Sequence, residues 1–181
     1  MYKTKGELLI SSMKKTLQKI NDLVEKKIIE KYAIAGGMAQ FYYIEPSVTY
    51  DLDLIVHISG EENNLNPLAP IYCWAEDSGY KTVGEHIIIE GMPVQFLLVY
   101  NELIEDALLN CVEIKIFDEK TFILRAEYLM AIMLQTGRLT DKERLARFFM
   151  EAEYNKETFF GLLERFGLKE IYEKSYGDFN G

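Results

Sequence analysis

Two aspartates, Asp51 and Asp53, interrupt an otherwise apolar run over residues 50–58. Asp is depleted in β-strands because its short carboxylate competes for backbone hydrogen bonds and adds little packing. Residues at i and i+2 of a strand point from the same face, so the two carboxylates are predicted to lie side by side. Like charges at this spacing repel each other. A divalent cation or a water-filled cleft beside the strand explains why the sequence tolerates them.

A glycine pair, Gly36-Gly37, precedes the aspartates in the chain. The pair follows the short apolar run Tyr32–Ala35 and leads into a helical segment at Met38–Ile44. A strand, a glycine turn and a helix start, in that order, offer backbone N–H groups to an anion. A tight turn is the commoner reason for two glycines, and a polar strand facing solvent is the simpler explanation of the aspartates. The combination of the two features favours a ligand or metal site.

The remaining patterns predict the elements that must position these residues. Residues 4–30 form an amphipathic helix, and Val83–Ile89 pairs with Pro93–Val99 around a turn at residues 90–92. The further elements are a helix with Asn66 as its cap and Pro67 in its first turn, a helix at 101–109, a strand at 112–117, an apolar helix at 122–135, a helix opened by a capping box at 140–143, and short helices at 156–166 and 168–176. After Asp118 only helices are expected. The chain is therefore predicted to be α+β, with an α/β core at 1–117 and a C-terminal helical subdomain at 118–181 packed on it.

Composition limits the partners that this protein can take. A net charge of −9 over 181 residues argues against broad binding to nucleic acids or anionic membranes. It leaves room for a small phosphate ligand held by a few local cations. The apolar runs are too short to span a bilayer, and no signal peptide is visible. Cys73 and Cys111 have neither metal-ligand spacing nor a disulfide framework, so both are expected to be reduced core residues of a cytoplasmic protein.

The glycine pair, thirteen intervening residues and then Asp51-Leu52-Asp53-Leu54 resemble the signature of the nucleotidyltransferase superfamily of the DNA polymerase β type. The runs Leu124–Leu129 and Gln135–Arg144 are similar to the AbiEii-like branch, whose members often carry an Arg and a Lys-Asp pair at this place. The resemblance covers roughly residues 30–150. It implies a nucleotidyltransferase-like mixed sheet, with helices packed on one side and a metal–nucleotide site at the sheet edge.

The resemblance also implies a role for each site residue. The two aspartates would hold Mg²⁺, which bridges the triphosphate of an incoming nucleotide, and Gly36 and Gly37 would lie against the phosphates. Arg138 and Lys142, one helical turn apart, would compensate the phosphate charge. Surface charges on a helix are commoner than ligands, and that is the alternative interpretation of these two cations.

Gln95 departs from the pattern of active members. They carry a third acidic residue on the strand after the hairpin, and the matching run here is Pro93-Val94-Gln95-Phe96. An amide can accept a hydrogen bond or ligate a metal weakly, but it cannot act as a general base. Glu90, in the hairpin turn, is a poor substitute because it has the opposite strand parity. A satisfied buried amide is the alternative role for Gln95.

Three other polar residues are expected to be structural. Arg125, placed inside an apolar helix, needs a partner, and a salt bridge is the expected one. His57 and His86 have no Cys or His ligand set nearby in the sequence, so each is interpreted as a core or surface histidine.

Three functional hypotheses follow. The first is Mg²⁺-dependent transfer of a nucleoside monophosphate from a nucleoside triphosphate to an RNA or protein hydroxyl. The second is a catalytically degenerate nucleotide-binding module, for instance one half of a toxin–antitoxin pair. Gln95 and the acidic total favour it slightly, since an RNA acceptor calls for a basic track. The third is a structural α+β domain whose aspartates face solvent.

Overall fold

The computed structural model describes residues 5–44, 51–58 and 65–177. The helices are α1 (Lys5–Glu25), α2 (Gly36–Tyr43), α3 (Ala69–Asp77), α4 (Glu102–Leu109), α5 (Ala126–Thr136), α6 (Leu139–Glu151), α7 (Lys156–Arg165) and α8 (Lys169–Tyr176). The strands are β1 (Lys31–Ile34), β2 (Leu52–His57), β3 (Lys81–Val83), β4 (His86–Ile89), β5 (Met92–Leu98), β6 (Val112–Ile116) and β7 (Glu119–Ile123). Tyr50, where the second strand is predicted to begin, lies outside the described residues.

The strands form one mixed sheet in the order β3-β4-β5-β2-β1-β7-β6. Strand β2, which follows Asp51 and carries Asp53, pairs antiparallel with β1 and parallel with β5. Strand β1 pairs parallel with β7 on its other side. The predicted α+β class with a mixed sheet is confirmed, and the two aspartates lie toward the middle of that sheet.

Helices cover both faces of the sheet, so the expectation of helices on one side is wrong. Leu52, on one face of β2, lines an apolar cavity together with Met13 of α1. Ile55, on the opposite face, lines a cleft together with Ile104 of α4 and Leu129 of α5. The alternation of side chains along β2 therefore sends the leucines toward α1 and Asp53 toward the face that α4 and α5 cover.

Local sequence signals fix the elements that border this cleft. The side chain of Asn101 accepts a hydrogen bond from the Ile104 backbone N–H at 2.8 Å and caps α4, the helix predicted at 101–109. Glu90 and Gly91 have φ angles of +50° and +84° and form the two-residue turn between β4 and β5. Positive φ at both central residues is typical of a type I′ hairpin turn. The Thr16 hydroxyl donates to the Ile89 carbonyl at 2.8 Å, which fastens this hairpin to α1.

Strand β7 was not predicted, and the expectation of helices alone after Asp118 is wrong there. Ile123 pairs with Ile34, so β7 lies inside the sheet beside β1. Phe122, where the apolar helix is predicted to begin, belongs to this strand, and α5 begins only at Ala126. A continuous apolar run does not separate a short buried strand from the helix that follows it. The division of the chain at 117/118 into two domains stays a prediction.

Two predicted helix caps are also wrong. Helix α3 begins after Leu68 and has Pro70 in its first turn, so Asn66 is not its cap. The Asn66 carbonyl instead accepts the Ala69 N–H at 3.1 Å in a preceding turn. The capping box at 140–143 does not form, because α6 begins two residues earlier and has Arg138 at its N-cap.

Three further residues differ from expectation. Arg125 is the exposed N-cap of α5, so water solvates its charge and no buried partner is needed. Cys73 is exposed and Cys111 is half-buried, so the expectation that both are core residues is wrong, most clearly for Cys73.

Among the described helices, none combines the length and apolar character that crossing a bilayer requires.

Candidate functional site

A cleft of about 500 Å³ opens on the face of the sheet that carries Asp53. Strands β2 and β5, the start of α2, helices α4 and α5 and the start of α6 contribute to its walls. Six of the seven predicted site residues line it: Gly36, Gly37, Asp51, Asp53, Gln95 and Arg138. The structure thus brings together residues as far apart in the sequence as Gly36 and Arg138. The exception is Lys142, which is exposed and lines a different cavity beside Tyr176.

Gly36 and Asp53 fit together closely enough to fix the residue type at position 36. Gly36 has a φ of +55°, a conformation that costs other residues energy. A Cβ atom on Gly36 would lie 1.8 Å from Oδ2 of Asp53, far inside van der Waals contact. The Ala35 backbone N–H donates to the Asp53 carbonyl at 2.9 Å, which joins the glycine turn to β2. The glycine therefore lets the Asp53 carboxylate lie directly against the first turn of α2.

The electrostatic surroundings of Asp53 favour a cation in the cleft. Burial is the main reason that the pKa of Asp53 is raised above its ordinary value of 3.8, and the neighbouring Asp51 carboxylate raises it further. His86, Arg144 and Arg138 act in the opposite direction, and they do not cancel the two larger effects. A group with a raised pKa carries its negative charge at a cost. A bound cation would remove that cost.

A row of polar side chains crosses three strands at the level of Asp53. Gln95 is the register partner of Asp53 on β5, and His86 is the register partner of Gln95 on β4. The Gln95 amide Nε2 donates to Oε2 of Glu85 at 2.8 Å, and His86 Nε2 lies 3.7 Å from Oδ2 of Asp51. Gln95 is half-buried, so it is a satisfied amide at the edge of the cleft rather than a core residue.

Sequence reasoning missed Glu85 and His86 as members of this site. Glu85 belongs to the two-residue turn between β3 and β4, where Gly84 at φ +61° provides the first central position. The hairpin that carries this turn to Gln95 was predicted with a turn at residues 90–92, but the observed turn is two residues long, and its register pairs His86 with Gln95. The nearest available signal was the Gly84-Glu85-His86 run before an apolar strand.

Among the described residues, two arginines line the cleft, and they share one buried carboxylate. Asp141 is 5% exposed, and its Oδ2 accepts from Arg138 Nε at 3.1 Å. Its Oδ1 lies 3.9 Å from a terminal nitrogen of Arg144. Arg144 also lines the cleft and was not singled out from the sequence, whereas Lys142 points elsewhere. Asp141 thus ties both guanidinium groups to the side of the cleft that faces the aspartates.

Gln40 provides an independent sign of a ligand. It lines the cleft at 4% exposure, and its Oε1 has no hydrogen-bond partner among the described residues. Its Nε2 has only a weak contact, 3.9 Å from the sulfur of Met133. A buried carbonyl oxygen without a donor costs about 1–3 kcal/mol. A ligand that offers a donor in the cleft would recover that energy.

The donor set suits Mg²⁺ shared with a phosphate ligand. Within the described residues, no group of three or more His, Cys, Asp or Glu side chains is arranged to hold a metal by itself. Mg²⁺ commonly takes one or two protein carboxylates and completes its shell with phosphates and water. Asp51 and Asp53 meet that requirement, so the residues present fit this ion.

The fold has a counterpart among solved structures. The chain is similar to an antigenic nucleotidyltransferase-like protein from Paracoccidioides brasiliensis, with a TM-score of 0.55 and 15% sequence identity over 95% of this chain and 92% of that one. The fold is nucleotidyltransferase-like. No protein-family model and no curated protein matches the sequence. At this identity the match concerns the fold alone. The same fold is implied by the resemblance that the glycine pair and the aspartate pair carry.

Proposed function

We propose that this chain binds a magnesium–nucleoside triphosphate in the cleft and transfers its nucleoside monophosphate to a hydroxyl group of an RNA or a protein. The observation that carries the proposal is the contact of the Asp53 carboxylate with the glycine turn at Gly36. This contact brings the carboxylates that would bind a metal next to the helix start that would bind phosphates. The nucleotidyltransferase-like fold and the two arginines that line the cleft support it.

Each wall of the cleft has its own part in this proposal. Asp51 and Asp53 would hold Mg²⁺, which would supply positive charge to the phosphate oxygens during transfer. The backbone at Gly36 and Gly37 lies against the phosphates. Arg138 neutralises phosphate charge, and Arg144 joins it in place of Lys142.

The reaction forms one bond and breaks one. The oxygen of the acceptor hydroxyl attacks the α-phosphorus, and the bond between that phosphorus and the oxygen bridging to the β-phosphate breaks. Pyrophosphate leaves with the bonding electrons, and the hydroxyl proton passes to a base or to water. The protein contributes positioning and charge compensation, which carry most of the catalysis in phosphoryl transfer.

A second candidate is a nucleotide-binding module without turnover, such as one half of a toxin–antitoxin pair. Gln95, a neutral amide at the register position beside Asp53, is the observation that favours it. The AbiEii-like resemblance is compatible with either candidate. A transferred nucleotide is therefore the result that separates them.

The test begins with binding, which both candidates require. Calorimetry with Mg²⁺ and a non-hydrolysable nucleoside triphosphate is expected to show saturable binding to the wild-type protein and none to Asp53→Asn. Asp77→Asn, an exposed aspartate at the end of α3, is the matched control and should bind normally. Equal binding by wild type and Asp53→Asn would contradict the proposal. Incubation with radiolabelled triphosphates and RNA or protein acceptors then distinguishes an enzyme from a binding module.

A further inference from the structure

We infer that Gln40 is a specificity-determining residue whose amide oxygen accepts a hydrogen bond from the base of the bound nucleotide. In the free protein this oxygen has no hydrogen-bond partner among the described residues, and the base supplies one. The inference rests on the proposed function, because the base belongs to the same triphosphate. It adds which part of the nucleotide the cleft recognises and which side chain recognises it.

The floor of the cleft changes from polar to apolar along β2 and β5. Asp53 and Gln95 are register partners, and the next pair on the same face is Ile55 and Leu97. All four side chains line the cleft. Two residues along a strand span about 6–7 Å. A nucleotide changes over a similar length from charged phosphates to a flat base, so this floor suits phosphates at Asp53 and a base at the apolar pair.

Helices α4 and α5 add apolar walls to the same cleft. Their contributions include Ile104, Leu129, Ile132 and Met133. Side chains of this kind pack against the faces of a base, but they provide no strong hydrogen-bonding group for its polar edge. Recognition of that edge therefore needs a polar side chain that reaches the apolar part of the cleft.

Gln40 brings an amide to that part of the cleft. It follows Gly36 by four residues and so lies on the same face of α2, one turn beyond the start of the helix. Its side chain is 4% exposed and lines the cleft. Its Nε2 lies 3.9 Å from the sulfur of Met133, so the amide reaches the wall formed by α5. The amide thus lies beside apolar side chains and one helical turn from the proposed phosphate position.

The chemistry of the unpaired atom selects the base rather than the phosphates. An amide oxygen accepts hydrogen bonds, and so do phosphate oxygens, so the two cannot pair. The nucleobases carry N–H groups on their polar edges, next to acceptor atoms. A glutamine amide can accept from such a group and donate to the neighbouring acceptor, as it does with adenine. The Nε2 of Gln40 has only its weak contact with sulfur and can make the second bond.

An amide that waits for a ligand leaves a mark on the stability of the free protein. A buried acceptor without a donor is destabilising. Methionine has a similar length and helix propensity but no amide, so Gln40→Met removes the unpaired oxygen at little other cost. The variant should make the free protein more stable and its nucleotide complex weaker. A glutamine that served only the fold would make the free protein less stable when it is replaced.

The experiment combines urea unfolding of the free protein with calorimetry, using Mg²⁺ and each of the four non-hydrolysable ribonucleoside triphosphates. Gln40→Met is expected to raise the urea midpoint and to weaken binding of the best-bound triphosphate by about tenfold. It should bind Mg²⁺–ribose 5′-triphosphate, which lacks a base, as the wild type does. Gln18→Met is the matched control, because Gln18 is exposed on α1 and its Nε2 donates to Oε1 of Glu119 at 2.7 Å. The control should not raise the midpoint, and its binding should be unchanged.

Three results would overturn the inference while the proposed function stands. An unchanged or lower urea midpoint for Gln40→Met would mean that the amide already has a partner in the free protein. Equal affinity of wild type and Gln40→Met for every nucleoside triphosphate would mean that the base does not use it. Equal losses with the nucleoside and ribose triphosphates would assign the oxygen to the sugar or to Mg²⁺. If the wild type binds no Mg²⁺–triphosphate, the proposed function fails as well.

Discussion

Replacing Gly36 by alanine tests the central geometry of the cleft. Two effects meet at this position. A φ of +55° costs a residue with a Cβ about 1–2 kcal/mol. In addition, the new Cβ would lie 1.8 Å from Oδ2 and 2.7 Å from Cγ of Asp53, so the carboxylate must rotate away. The first effect lowers the free energy of unfolding, and the second removes a ligand from the site.

Gly79→Ala separates these effects. Gly79 has a φ of +75°, and a Cβ there would meet no atom within 4 Å. Gly79→Ala should therefore lose about 1–2 kcal/mol of unfolding free energy in urea denaturation through backbone strain alone, and Gly36→Ala should lose at least as much. Only Gly36→Ala should also lose affinity for the Mg²⁺–triphosphate complex. We expect a loss of at least about tenfold, or about 1.4 kcal/mol, by calorimetry.

The comparison gives a clear refutation. If Gly36→Ala binds the complex as tightly as the wild type does, Asp53 does not need to lie over the glycine turn. The proposed metal–phosphate geometry is then wrong. If both variants lose binding to the same extent, general destabilisation accounts for the loss, and the contact between Gly36 and Asp53 has no special role.

Two further predictions concern pH and packing. Burial and the Asp51 carboxylate raise the pKa of Asp53, so between about pH 4 and the raised pKa the folded protein keeps a proton that the unfolded chain has released. The free energy of unfolding therefore falls as the pH rises through this range. Asp53→Asn should remove this part of the slope in urea unfolding, whereas Mg²⁺–triphosphate binding by wild type should strengthen over the same pH rise. Asp106 accepts the Tyr128 hydroxyl at 2.6 Å and two Arg165 nitrogens at 2.9 and 3.1 Å. Asp106→Ala should therefore lower the unfolding free energy by about 1–3 kcal/mol, and an unchanged urea midpoint would contradict this account.

The parts of the site that the sequence predicted are those set by neighbouring residues. The glycine turn after β1 depends on residues within a few positions of each other, and so does the orientation of Asp51 and Asp53 toward one face. The described structure brings the turn and the two aspartates to the same cleft. The helix at 101–109 was predicted for the same reason, and the structure adds that the Asn101 side chain caps it by a bond three residues ahead. In each case a local rule of backbone geometry is sufficient.

The parts that the sequence did not predict depend on distant pairing. Arg144 reaches the cleft only through the way that α6 packs. Glu85 belongs to a hairpin that was predicted, but the predicted turn at residues 90–92 gives a different register from the observed two-residue turn, which pairs His86 with Gln95. Lys142 was predicted because it lies one helical turn after Arg138 and matches the Lys-Asp pair of the AbiEii-like branch, whereas Arg144 was not singled out. In the structure Arg138 is the N-cap of α6, Arg144 lines the cleft and Lys142 lines another cavity. β7 was missed because its apolar residues continue into α5.

The parallel pairing of β1 with β7 has a consequence for synthesis of the chain. Strand β1 can pair with β2 on one side soon after both are synthesised. Strand β7, which pairs with its other side, begins only at Glu119. At about 5–20 residues per second, that edge of β1 presents unpaired N–H and C=O groups for seconds on the ribosome. An open edge is a template for pairing with another strand. The nascent protein is therefore most exposed to association before β7 emerges, and a fragment that ends at Phe117 would keep that open edge permanently.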